Sequence, residues 1–488
     1  VKYQLREEYQ VPCVNGVRDA YRRKKVAPLL VAPCGSGKTV MFSYMAKTAS
    51  DKGQLVLIMA HREGLCTQCG EKLMDNGVDF GYINPGFTPD YRKPVQVGTI
   101  QSIVSRMGRI WVYGNERLKA KGERQKAEIG FELPLQSKVL FVPDLIIIDE
   151  ARRSLAPTYI KIINFYKKLN PKLLILGVDA TPKRGDNKPL SLLFDEIVLG
   201  PSVRRLIDLG FLVEPKTFGT GVTIDLSEVD TTSDGEYNQI QLAEVVNKGC
   251  ITGDAVDHYS RICPGVSTVV FCVSIKHAID VAAEFRAAGY LFEHIDGTMK
   301  RSERNDIDRR LKSGELQGIT SVDLVTDGYD APVLQCAILL RPVLSLALAI
   351  QMPSRVLRPF PGKKFAYILD HVGLTAAHGF VDDDREWNLD GEVKAKGKRR
   401  KVKGEEAVKT TQCPQCYRMH KPALICDSCG FVYEVNSRII NTVEGELVEL
   451  RSKAQEARTK LASGEIGQLA QMGGSDWAVN IQREWEGR

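Results

Sequence analysis

No uninterrupted apolar run in this chain reaches the roughly 18–20 residues that a bilayer-crossing helix requires. The longest candidate, around 338–352, is broken by Arg341 and Pro342 and reads as a core strand followed by a helix. The first residues, Lys2-Tyr3-Gln4-Leu5-Arg6, hold no apolar segment of the secretory kind, so the expected location is the cytoplasm with no membrane partner. Cysteine is present at 12 in 488 residues, too thinly for a disulfide scaffold, and four of the twelve cluster late, as metal ligands do in a reducing compartment. Excess charge is also missing from most of the chain. The formal net charge is +7, and residues 394–403 (Lys-Ala-Lys-Gly-Lys-Arg-Arg-Lys-Val-Lys) hold 7 basic residues and no acidic one. The body is therefore neutral, which excludes a generally basic particle. The basic segment is either a solvated hinge or a strap for phosphates, whose neutralisation releases counterions.

A hydrophobic content of 43% and a charged content of 26% are those of a globular chain, and the length predicts two or three domains. The stretch that organises the rest is Leu29-Leu30-Val31-Ala32-Pro33-Cys34-Gly35-Ser36-Gly37-Lys38-Thr39. An apolar strand runs into a glycine turn, and Lys-Thr opens a helix. Gly35 and Gly37 allow positive φ, so that successive N–H groups, including those of Cys34 and Ser36, converge on an anion. The helix presents its positive end to the same point. Lys38 can reach β- and γ-phosphates, and the Thr39 hydroxyl can hold Mg²⁺. The bland alternative is a glycine turn without a ligand.

A second anchor is Leu145-Ile146-Ile147-Ile148-Asp149-Glu150. Its apolar run predicts a buried parallel strand, and paired carboxylates at such a strand's end suit a cation. Asp149 can hold Mg²⁺ through water, and Glu150 can polarise an attacking water. Other strands are expected at 55–60, ending in His61-Arg62, at 95–102 with a polar end, and at 173–178, ending in Asp179-Ala180-Thr181-Pro182. Ligands in open α/β sheets bind at strand carboxyl ends, which makes Arg62 a candidate contact. Gln10, in a helical stretch before the glycine turn, could read an adenine edge through its amide. Cys66 and Cys69 have redox spacing without partner cysteines nearby, and chance is the simpler account. Residues 106–138 are polar and basic, an insertion that is either a surface hairpin or a nucleic-acid contact.

Taken in order, A-x-x-G-S-G-K-T, T-I-Q-S, I-I-D-E-A, D-A-T-P, V-V-F-C-V-S, S-V-D-L-V-T-D-G-Y-D-A-P and Q-M-P-S-R-V-L-R resemble the motif set of superfamily 2 helicases and translocases. Within that group the chain is similar to bacterial and phage DEAD/DEAH-box proteins of the RadD type, over roughly residues 5–430. The resemblance implies an α/β fold of two RecA-like P-loop domains with parallel sheets. ATP would lie in the cleft between them and a nucleic-acid strand across the top. It assigns ATP and Mg²⁺ to Lys38, Thr39, Asp149 and Glu150, adenine to Gln10, and nucleotide sensing to Gly328 and Asp330. Nucleic-acid contact falls to Thr99, Gln101 and Ser274, and coupling of hydrolysis to movement to Thr181. Gln351, Arg355 and Arg358 fall on the helix near 345–358, where such arginines reach the γ-phosphate as fingers; their alternative is an amphipathic surface helix.

Three positions depart from that pattern: Arg152 stands where the family has His, Asp179 where Thr is usual, and Pro353-Ser354 replaces residues including a glycine. They sit where turnover is coupled to motion, and Pro353 is expected to kink its helix and shift Arg355. Residues 376–391 read as an acidic connector, in which His378 with Asp382–Asp384 could suggest metal but fits a solvated loop. Cys413-x-x-Cys416 and Cys426-x-x-Cys429 form two knuckles for a structural tetrahedral thiolate site, with Zn²⁺ expected and a rubredoxin-like iron the alternative. The expected organisation is a first domain at 1–213, a second at 214–391, a basic linker at 392–409, a zinc ribbon at 410–435 and a helical tail at 436–488. The implied function is an ATP-dependent DNA helicase or translocase in repair, replication or recombination, with partners such as a single-stranded-DNA-binding protein. A motor subunit of a restriction complex and a DNA-binding protein with a decayed motor are the alternatives.

Overall fold

The computed structural model describes residues 4–107, 141–186, 188–219, 229–232, 236–238, 241–242, 251–322, 331–390 and most of 411–432. The expected insertion, Gly328 and Asp330, the basic segment and the C-terminal tail lie outside these residues.

The first lobe is built on seven parallel strands: β1 (Pro28–Val31), β2 (Val56–Ala60), β3 (Phe80–Ile83), β4 (Val95–Thr99), β5 (Leu145–Asp149), β6 (Leu174–Asp179) and β7 (Glu196–Leu199), in the order β3-β4-β2-β5-β6-β1-β7. Helices α1 (Gln10–Arg22), α2 (Lys38–Ser50), α3 (Glu63–Asp75), α4 (Ile100–Arg106), α5 (Pro157–Leu169) and α6 (Val203–Asp208) accompany them. The apolar runs form central strands because both faces are covered. Ile147 packs with Leu30, Ile58 and Val97 on one face, whereas Ile146 and Ile148 pack with Tyr159, Ile162 and Tyr166 on the other. Each such side chain contributes about 1.5–3 kcal/mol on burial. Val31 pairs with Asp179, and Asp149 with Val178, so the carboxyl ends of β1, β5 and β6 lie side by side.

The second lobe holds six parallel strands, β8 (Glu214–Gly219), β9 (Thr268–Phe271), β10 (Phe292–Ile295), β11 (Gly318–Ser321), β12 (Cys336–Leu339) and β13 (Phe365–Asp370), ordered β10-β11-β9-β12-β13-β8. Its helices are α7 (Ile251–Ile262), α8 (Ile275–Ala287), α9 (Arg301–Ser313), α10 (Leu346–Ser354) and α11 (Leu374–His378). No helix among the described residues is long and apolar enough to cross a membrane.

Glu214-Pro215 opens β8, where a proline is tolerated because among the described residues the strand has one ladder partner, β13. Its other edge meets the cysteine-rich module. Phe218 bridges to Arg418, and a Cβ on Gly219 would stand 3.0 Å from Met419. Between β8 and α7, Thr231 pairs antiparallel with Tyr237. Beside this pairing, Glu236 accepts from the Leu344 and Ser345 N–H groups at 3.1 and 2.7 Å, just ahead of α10. The acidic connector is folded. Arg385 donates to the His378 and Phe380 carbonyls at 3.1 and 2.7 Å. Trp387 then packs against the cores of both lobes, and the Ser191 N–H donates to the Leu389 carbonyl at 3.0 Å. The chain thus returns to the first lobe after completing the second.

Burial makes one part of the second lobe sensitive to acid. His371 is 6% exposed, and its ring lies 5.1 Å from that of His258, tilted by 44°. Burial first, and then the His258 ring, push its pKa down to about 4. The unfolded chain binds this proton below about 6.5, and the folded chain does so only near 4. Stability present above pH 6.5 is therefore lost as the pH falls towards 4. The expected loss is about 3 kcal/mol. Melting curves of the wild type and His371→Gln between pH 7.5 and 5 check this. The wild type should lose stability more steeply than the variant, and parallel curves would refute the assignment.

Candidate active site

The glycine turn between β1 and α2 has the geometry of an anion cradle. Gly35 and Gly37 have φ of 83° and 78°, values that a side chain strains. A Cβ on Gly37 would meet Gln10 Nε2 at 2.5 Å. Gln10 is buried here and buttresses the loop: Nε2 donates to the Ser36 carbonyl at 3.0 Å, while Oε1 accepts from the Arg6 N–H at 3.0 Å. Neighbouring Tyr9 meets Phe211 edge-on at 5.1 Å, and Arg6 lies over the same ring. Cys34 and Ser36 are buried in the turn, and Ser36 Oγ has no hydrogen-bond partner among the described residues. Lys38 Nζ donates to the Ala32 and Pro33 carbonyls at 3.1 and 3.2 Å, which holds the ammonium over the mouth of the loop. Thr39 follows in the first turn of α2.

Across the sheet, Asp149 ends β5 and Glu150 follows in the left-handed region at φ 55°. A non-glycine residue held there is strained, and such strain gathers at functional sites. The turn is fixed by Glu150 N–H donating to Asp149 Oδ1 at 3.1 Å and Arg153 N–H donating to the Glu150 carbonyl at 2.9 Å. Burial and the charge of Glu150 push the Asp149 carboxyl up. Burial also pushes Glu150 upward, but Arg152, Lys38 and Arg355 outweigh it and hold that carboxylate charged. Two adjacent carboxylates with opposed shifts are a cation-binding group beside a charged, orientable one. A loop of positive-φ glycines, a lysine, a hydroxyl and this pair form a donor set that fits a nucleotide triphosphate with Mg²⁺.

The second lobe closes this site. Gln351 is fully buried on α10; its Nε2 donates to Glu150 Oε2 at 3.4 Å, and its Oε1 accepts from Arg152 Nη2 at 3.2 Å. Pro353 does not displace Arg355. It lies in the last turn of α10, which tightens into a 3₁₀ turn over Arg355–Leu357. Arg355 is buried, close enough that its charge lowers the Glu150 pKa. Arg358 Cγ lies 3.8 Å from where a Cβ of Gly35 would stand. Both arginines thus come from the second lobe to the phosphate loop and its carboxylates. The sequence offered no signal for Lys363, whose buried ammonium donates to the carbonyls of Arg358, Leu334 and Pro332 at 2.7, 2.6 and 3.3 Å. Three donors meet three acceptors, fixing the backbone that carries Arg358.

A cleft of about 540 Å³ opens between the lobes beside this site. Arg62 and Gln101 line it, joined by Arg153, Lys183, Arg184 and Arg341, which the sequence reading did not single out. Thr99 stands at the start of α4. It is buried; its hydroxyl donates to Ser102 Oγ at 2.9 Å and caps α4. Ser274 caps α8, accepting from the His277 N–H at 3.1 Å. Thr181 is fully buried; its N–H donates to Asp179 Oδ1 at 2.9 Å, and its hydroxyl has no partner among the described residues. Cys66 and Cys69 are buried on α3 and burial raises both thiols, Cys66 to about 12, which makes them inert.

The late cysteines converge. All four Sγ atoms of Cys413, Cys416, Cys426 and Cys429 lie within 4.8 Å of one another, with Cys413–Cys429 at 3.5 Å and Cys416–Cys426 at 3.7 Å. A tetrahedral metal with about 2.3 Å bonds to sulfur sets sulfurs about 3.8 Å apart, so the cluster suits one metal ion.

Residues 2–184 match the family model of the type III restriction enzyme res subunit, and residues 255–359 match that of the helicase conserved C-terminal domain. A 51.5 kDa protein of a Lactococcus phage is 27% identical over 461 residues, covering 94% of this chain and 87% of its own. IRC3 of Saccharomyces cerevisiae, named as a candidate ATP-dependent helicase, is 27% identical over 381 residues, 75% of this chain. The chain spans 50% of the length of that yeast relative. Among solved structures, a fragment of a candidate HsdR subunit of a type I restriction enzyme from Vibrio vulnificus superposes with a TM-score of 0.54 at 20% identity, covering 76% of this chain and 65% of that one. The DNA-bound Type ISP restriction-modification enzyme LlaBIII gives 0.53 at 17%, covering 76% and 28%. These two show the shared fold.

Proposed function

The chain is a superfamily 2 helicase of the DEAD/DEAH-like kind, a nucleic-acid-dependent ATPase, and from that premise we propose that it is a motor that moves along DNA in repair, replication or recombination. The observation that carries this reading is the meeting of Gln351, Arg355 and Arg358 of one lobe with the phosphate loop and Glu150 of the other. Hydrolysis then depends on closure of the two lobes, and closure is the movement a motor needs.

In this reading Lys38 and the loop N–H groups would hold the β- and γ-phosphates, while Thr39 and Asp149 would hold Mg²⁺, which when bound would supply charge neutralisation for phosphoryl transfer. Glu150 orients the attacking water and accepts its proton. Arg355 and Arg358 face the charge that develops. Gln10, which buttresses the loop, stands as the adenine reader, and Gly328 and Asp330 as the sensor. Arg62, Gln101 and Ser274 would touch the nucleic-acid backbone together with the cleft arginines, and Thr181 would couple the two events. Thr99 would join that contact from the cap of α4, beside Gln101. The cysteine cluster would hold a structural Zn²⁺. The proposed domain limits are 1–213 and 214–391, followed by the linker, the metal module and the tail.

ATP hydrolysis measured with and without single-stranded DNA tests the proposal. Stimulation of at least tenfold, abolished in Lys38→Ala, is the expected result. DNA binding without turnover above that variant would leave only a nucleotide-gated binding protein. A second reading, the motor of a restriction complex, is favoured by the match of residues 2–184 to the res subunit model. It requires a partner subunit supplying endonuclease activity, which co-purification from the native host followed by a cleavage assay would detect.

A further inference from the structure

Two of the three departures from the family pattern meet in space. Arg152 and Asp179 lie 27 residues apart in sequence, but β5 and β6 are neighbours and bring them together. Arg152 Nη1 donates to Asp179 Oδ1 at 3.0 Å, and its backbone N–H donates to Asp179 Oδ2 at 2.6 Å. Arg152 is 7% exposed and Asp179 is fully buried. One positive and one negative charge therefore sit together in the core. Buried charges persist only when paired, and removal of one partner leaves the other uncompensated.

The pair also faces the chemistry. The Nη1 of Arg152 that meets Asp179 also donates to Glu150 Oε2, and Nη2 donates to Gln351 Oε1 at 3.2 Å. Gln351 closes the ring by donating to Glu150 Oε2. Glu150, Arg152 and Gln351 are thus each bonded to the other two, and Asp179 pins the arginine from behind. Only Gln351 belongs to the second lobe. A shift of α10 pulls on Glu150 directly and through Arg152, and displacements near 1 Å at a reacting group can cost about a hundredfold in rate. The cleft side is joined as well, because Arg184 Nη1 donates to the Arg152 carbonyl at 2.5 Å.

We propose that Arg152 and Asp179 are a compensated exchange that transmits lobe closure to Glu150, with Arg152 the positioning residue and Asp179 its anchor. Arg152 touches no reacting atom; it sets where the Glu150 carboxylate points. The proposal deepens the ATPase reading above and rests on it.

The test compares Arg152→His, Asp179→Thr and the two combined, with Arg152→Lys as a fourth variant. ATP turnover is measured at saturating single-stranded DNA, with KM for ATP, nucleotide binding and thermal melting for each. Arg152→His strands the buried Asp179 carboxylate, and Asp179→Thr leaves Arg152 held by Glu150 without its anchor; in either case turnover should fall 10–100-fold while KM stays within about threefold. The double variant removes both partners and should recover to within fivefold of wild type. Arg152→Lys keeps the charge but has no fork to span Asp179 and Gln351; it should fold, bind nucleotide and turn over at least tenfold more slowly. Where a single variant does not fold, the double variant and Arg152→Lys carry the test. Losses that multiply in the double variant, or wild-type turnover in Arg152→Lys, would overturn the proposal. A wild-type protein without turnover would instead sink the ATPase reading itself.

Discussion

Glu150→Gln is expected to lower ATP turnover by about 10²–10⁴-fold, the range set by loss of a positioned general base, while nucleotide binding survives. The amide keeps the shape of the carboxylate and can still meet Arg152 and Gln351, but it cannot take the proton of the attacking water. Arg152 retains Asp179 as a charged partner at 3.0 Å, so the substitution does not strand a buried guanidinium and folding should persist. Phosphate release at saturating ATP, beside equilibrium binding of a fluorescent nucleotide, separates the two effects. Turnover above a tenth of wild type would move the base elsewhere. Loss of binding would mean that the carboxylate shapes the phosphate site instead of acting on the water.

The second large effect is expected from across the cleft. Arg358→Ala and Arg355→Ala should each reduce turnover by about 10³–10⁵-fold, as removal of a charge-stabilising arginine does in phosphoryl transfer. Their positions suggest different secondary costs. Arg358 lies along Gly35 at the loop, so its loss should leave Glu150 oriented and act on kcat alone. Arg355 helps to hold Glu150 charged, so its loss should also alter how turnover varies with pH. Pre-steady-state phosphate release at saturating ATP reads both. A loss below tenfold in either variant would assign the arginine to packing between the lobes.

Much of this was legible because parallel strands buried on both faces leave unbroken apolar runs. β1 and β5 announce themselves, and the residues after them mark the carboxyl end of the sheet where ligands gather. What sequence could not give was lateral adjacency. Arg152 and Asp179 each read as a defect, because nothing in either segment says that β5 lies beside β6. Lys363 sits in a Pro-Gly-Lys-Lys turn that resembles any solvated loop, and only the fold reveals the three carbonyls around it. The stretch around Trp387 was read from its aspartates as solvated, yet one tryptophan and one leucine outweigh them by packing against cores already formed. Pro353 was read as a kink, but at the end of its helix there is little left to bend.

The return of the chain at Trp387 and Leu389 onto the first lobe has a consequence for biosynthesis. The first lobe has its whole sheet by Leu199, yet part of its surface waits for a segment made only after the second lobe. At about 5–20 residues per second, the ribosome needs on the order of 10–40 s to pass from Val213 to Leu389. Through that interval the nascent first lobe carries an apolar patch with its natural cover still unmade, a transient site for a chaperone and the natural place for misassembly to begin.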